Sequence, residues 1–95
     1  MQLETFKIEI SVAERSRSHG GPQILDSFEI ESDNIFKDVA KIISEQNVFA
    51  YRNGLYFKVE NIYGEEEKFW AANKGETMFV RYCSNQNDRF SAEYT

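Results

Sequence analysis

A chain of 95 residues that is 41% hydrophobic and 15% aromatic has the length and composition of one domain around one core. Its formal net charge of −5 argues against a broad phosphate-contacting surface, which needs Lys and Arg. Five glycines and one proline argue against low complexity, and a single cysteine, Cys83, excludes an intramolecular disulfide.

Phe6, Ile8, Ile10 and Val12 alternate with Lys7, Glu9 and Ser11, the period of a strand with one buried and one wet face. Ile24, Phe28 and Ile30 share a second such parity, with Glu29 and Glu31 on the wet side. Asp26 breaks that apolar parity, as an edge or a bend would. The two strands are expected to form a hairpin closed by a long loop, residues 13–23. Ser32-Asp33-Asn34 then offers three N-cap residues in a row. Ile35, Phe36, Val39, Ala40, Ile42 and Ile43 follow at helical spacing, with Lys37, Asp38, Lys41, Ser44 and Glu45 on the other side. This predicts an amphipathic helix of about three turns ending near Gln46-Asn47, with one face to lay on one sheet.

Beyond the helix the chain reads as a meander. Asn53-Gly54, flanked by β-forming residues, predicts a type I′ hairpin turn joining strands 48–52 and 55–63. Gly64-Glu65-Glu66 predicts a reversal, residues 67–72 a short strand, Asn73-Lys74-Gly75-Glu76 another turn, and residues 77–83 the last strand. Residues 84–95 are polar and aperiodic, the composition of a frayed tail on the single domain 1–95. The expected fold class is α+β: ββα followed by a three- or four-stranded antiparallel meander, with one helix packed on one sheet face. The order of elements in residues 1–46, with the acidic strand-to-helix junction Glu29-Ile30-Glu31-Ser32-Asp33, resembles the opening of the ubiquitin-like β-grasp. That fold is the alternative architecture. The C-terminal Ala92-Glu93-Tyr94-Thr95 lacks the terminal Gly-Gly of a conjugated modifier, and the added strands depart from the β-grasp.

Reactive chemistry finds few residues to carry it. The single histidine, His19, lies far in sequence from Cys83, and Cys83 ends a strand with the character of a small core residue. One His and one Cys cannot build a zinc site without two carboxylates. Glu65-Glu66-Glu67 lacks the spacing and the glycine of a calcium loop, and Gly20-Gly21 precedes a strand rather than a helix, so it forms no phosphate cradle. The expectation is a non-enzyme with no catalytic residue, no metal and no cofactor. Residues 1–5 lack the basic and apolar regions of a signal peptide, and no apolar run approaches the length of a membrane span. With the lone cysteine, this points to the cytoplasm, of its own cell or of a host.

Two features point to a partner. The loop holding Arg15, Arg17 and His19 is the locally basic patch of an acidic chain, and long loops between pairing strands are uncommon unless used. Tyr51, Tyr56 and Trp70 are of the residue types that anchor interfaces, and with Tyr63 and Tyr82 they exceed what one helix can cover. A sheet that stacks RNA bases is disfavoured by the charge and by the absence of interleaved basic and aromatic residues. In size, acidity and lack of reactive motifs the chain resembles the small phage-encoded inhibitors, anti-CRISPR and anti-restriction proteins among them. That resemblance implies a protein partner with a basic surface, no direct contact with nucleic acid, and no membrane. The alternative is a self-associating subunit, a homodimer through a sheet edge or face. A small enzyme or ligand binder built on His19 and nearby acids is the third reading.

Overall fold

The alternation seen in the sequence becomes five strands. In a computed structural model describing residues 2–13 and 23–83, β1 (Glu4–Val12) and β2 (Ile24–Ser32) precede the helix α1 (Ile35–Ser44). A short 3-10 turn (Val48–Ala50) then leads into β3 (Leu55–Asn61), β4 (Glu66–Lys74) and β5 (Thr77–Cys83). They form one sheet in the order β2-β1-β3-β4-β5, every neighbouring pair antiparallel. This is the expected α+β arrangement with a three-stranded meander.

β2 and β3 both run antiparallel to β1, so they run parallel to each other. The helix carries the chain from one side of β1 to the other, a split βαβ unit. The likeness to a β-grasp therefore ends with the opening ββα, because β3 pairs antiparallel beside β1 and β4 and β5 follow outward from it in an antiparallel meander.

The core lies between α1 and one face of the sheet. Ile8, Ile10 and Val12 on β1 sit opposite Val59, Phe57 and Leu55 on β3, and Phe69 and Ala71 on β4 continue the two rows through Phe57 and Leu55. Val39 and Ile43 of the helix close over them, with Val48 sealing one end. Among the candidate caps, Asn34 takes the role: its Oδ1 accepts from Lys37 N at 3.3 Å, while Ser32 Oγ accepts from Asn34 N at 3.0 Å. Asp26 marks both an edge and an irregularity. β2 is an outer strand, and its register with β1 slips beside Asp26, where Leu25 has no counterpart.

One expected element is absent. Residues 48–52 are not a strand, and Asn53-Gly54 does not close a hairpin. Tyr51 O accepts from Gly54 N at 3.1 Å, a tight turn that delivers the chain straight into β3. β3 has a better partner than the five residues before it. Pairing with β1 aligns three buried residues of each strand across the ladder, and a local hairpin would leave Ile8 and Ile10 without that cover. Two other reversals follow the sequence. Asn61 and Gly64 make a turn with a glycine bulge, in which Asn61 O accepts from Gly64 N and Glu65 O accepts from Asn61 N. Gly75, at φ 65°, opens the two-residue loop between β4 and β5.

Candidate partner-binding face

Burying the even positions of β1 and the odd positions of β3 and β4 against α1 turns their neighbours to the opposite, helix-free face. The register orders those neighbours into rows across the sheet. Glu29, Lys7, Glu60 and Glu66 form one, with Glu31 and Thr5 beyond it. Ser27, Glu9, Lys58, Lys68 and Cys83 form the next, and Ser11, Tyr56, Trp70 and Arg81 the third. Ala72 and Phe79 pair beyond that. The face thus grades from carboxylates at one end to aromatic and apolar side chains at the other.

The aromatic end is held in place by named contacts. Trp70 Nε1 donates to Asn53 O at 2.8 Å, tying β4 to the turn that precedes β3. Tyr56 lies directly across from Trp70, and the Lys68 ammonium stands 5.3 Å from the centroid of the Tyr56 ring, within cation–π range. Both aromatics are half-buried. Between the two ends, Lys58 Nζ lies 3.1 Å from Glu9 Oε1 and 3.8 Å from Glu66 Oε2. The hydrogen bond to Glu9 raises the Lys58 pKa above its ordinary value, partial burial opposing and the neighbouring carboxylates adding to the rise.

The structure brings two of the expected site residues together and separates a third. Tyr56 and Trp70 share the helix-free face. Tyr51 does not join them: it ends the 3-10 turn and packs against the core. Arg15, Arg17 and His19 lie outside the described residues, as does the tail 84–95. Tyr82 belongs to the other face, in a cluster with Phe36 and Phe69 whose ring centroids lie 5.3–6.3 Å apart. Its hydroxyl donates to Glu67 Oε1, a bond that raises the phenol pKa.

Arg81 and Phe79 escaped sequence reasoning, although a signal existed. With Gly75-Glu76 as a two-residue loop, counting outward from Lys74 and Thr77 sets Trp70 against Arg81. Among the described residues, no three His, Cys, Asp or Glu side chains converge as metal ligands. No helix among them is long and apolar enough to cross a membrane. Comparison with protein-family models, with curated proteins and with solved structures finds no match to this chain.

Proposed function

We propose that this chain is a non-enzymatic protein-binding module that docks, through its helix-free face, on a basic surface of a larger protein. One observation carries the reading: a single solvent-facing sheet surface holds the Tyr56–Trp70 pair toward one end and a row containing Glu29, Glu60 and Glu66 at the other, with the row of Glu9, Lys58 and Lys68 between them. Half-buried aromatics held by hydrogen bond and register are pre-organised anchors, which lose little freedom on binding. The carboxylates at the far end of the same face supply steering toward positive charge, and the net charge of −5 extends that field. Proteins that handle nucleic acid present such basic surfaces. The sharpest form of the reading is an inhibitor that covers one of them, in the manner of the phage anti-defence proteins.

The single tryptophan lies on the proposed face, so its fluorescence reports directly on docking. A partner identified by affinity capture should shift Trp70 emission on titration, with affinity falling as salt rises. A Glu29→Lys/Glu60→Lys double variant and Tyr56→Ala should each lose binding, while Lys41→Ala on the helix should keep it. Equal binding by all four proteins, or binding with no change in Trp70 emission, places the interaction elsewhere and defeats the reading.

A further inference from the structure

The two edges of the sheet are built differently. β2 carries Asp26, Glu29 and Glu31 and an irregular register at Leu25, two devices that keep a bare edge from pairing with another chain. β5 has neither. Its seven residues, Thr77-Met78-Phe79-Val80-Arg81-Tyr82-Cys83, hold no acid, no proline and one charge, and pair with β4 in unbroken register. Each of the other four strands contains at least one acidic residue. Phe79, Val80 and Tyr82 are 40%, 50% and 47% exposed, and among the described residues no strand lies along the outer side of β5.

We propose that β5 pairs antiparallel with β5 of a second copy of this chain, about a two-fold axis through Val80, to give one continuous sheet of both copies. The choice of a second copy rests on charge. Two molecules at −5 repel, and β5 is the strand along which they meet without opposed carboxylates. The register rests on self-complementarity, which a two-fold interface demands. Centring on Val80, the middle of the strand, pairs all seven residues. On the helix side it sets Met78 against the partner's Tyr82, a sulfur–aromatic contact. On the helix-free side it sets Phe79 against the partner's Arg81, a cation–π contact. Centring on Arg81 instead opposes two guanidinium groups. Centring on Phe79 leaves Tyr82 and Cys83 beyond the ladder. The axis stands perpendicular to the sheet, so both helices lie on the same side and both helix-free faces are presented together.

Sedimentation velocity of the full chain over about a hundredfold range of concentration tests this. The wild type should move from 11.1 kDa toward twice that mass as concentration rises. Val80→Lys, which places two ammonium groups on the axis, should stay monomeric with unchanged circular dichroism. A Val80→Cys/Cys83→Ser variant, with its one thiol on the axis, should oxidise to a covalent dimer, since directly opposed antiparallel residues lie within disulfide reach. A wild type that remains at 11.1 kDa throughout, or a folded Val80→Lys protein that associates like the wild type, overturns the proposal. Association without cross-linking of the cysteine variant overturns the register and, with it, the interface. The assay contains no other protein, so its failure leaves the docking face of Tyr56 and Trp70 unaffected.

Discussion

Gly54 stands where no side chain fits. A methyl group there would lie 2.2 Å from Ala71 O and 2.8 Å from Ala72 Cβ, and the backbone φ is +86°. Its own groups are committed as well: its carbonyl accepts from Ala13 N at 3.0 Å, and its N–H donates to Tyr51. Gly64 has the same φ of +86° and open space around it. The pair separates strain from collision. Gly64→Ala should cost about 1 kcal/mol, the left-handed backbone alone. Gly54→Ala should cost about 2–4 kcal/mol, as β4 must shift to admit it. Urea denaturation of the two variants checks the ranking, and equal costs would show that β4 yields freely. Tyr82 offers a second residue-scale prediction. Its phenol is held above its ordinary value of 10.0 chiefly by the hydrogen bond to Glu67. The neutral form is favoured in the folded chain, so the stabilisation is complete below the unfolded value and disappears as pH rises through the higher folded one. Subtracting the tyrosinate absorbance titration of Tyr82→Phe from that of the wild type isolates this phenol, and Glu67→Gln should bring its midpoint back toward 10.0.

At the scale of elements, the helix is the most local. Asn34 supplies its cap, so Asn34→Ala should cost about 1 kcal/mol and Asn34→Asp almost nothing, read from denaturation midpoints. What was legible in the sequence follows from that locality. Period two in residues 6–12, helical spacing from Ile35 to Ile43 and the glycines at 64 and 75 each act within a few residues of themselves, and each appears where expected. The error at residues 48–52 has the opposite origin. Phe49, Ala50, Tyr51 and Asn53-Gly54 look like a hairpin to their neighbours. The decision belonged to β1, more than forty positions earlier, whose apolar face needed β3. Gly54 takes the positive φ that a type I′ turn requires, but no hairpin closes there. The candidate site was half legible for the same reason. Tyr56 and Trp70 are visible as residue types, but their meeting across β3 and β4, and Arg81 beyond them, depends on register.

For the molecule as a whole, charge and shape divide the work between surfaces. One face of the sheet is taken by α1, and the other grades from the carboxylates of Glu29, Glu31, Glu60 and Glu66 to the Tyr56–Trp70 pair. The docking proposal belongs at this scale, since it needs both ends of the face at once. Its salt dependence distinguishes steering by the whole charge from contact by the aromatics alone: Glu29→Lys/Glu60→Lys should slow association, and Tyr56→Ala should speed dissociation.

The place of β1 between β2 and β3 sets an order of events during synthesis. β1 is flanked on one side by a neighbour that leaves the ribosome shortly after it, and on the other by Leu55–Asn61, which emerges only after more than forty further residues. Until then Ile8 and Ile10 have an open flank, and joining it requires closing a long loop, a slow step in chains dominated by distant pairings. The nascent pair of β1 and β2 must therefore wait, apolar side exposed, for a strand that has yet to be translated.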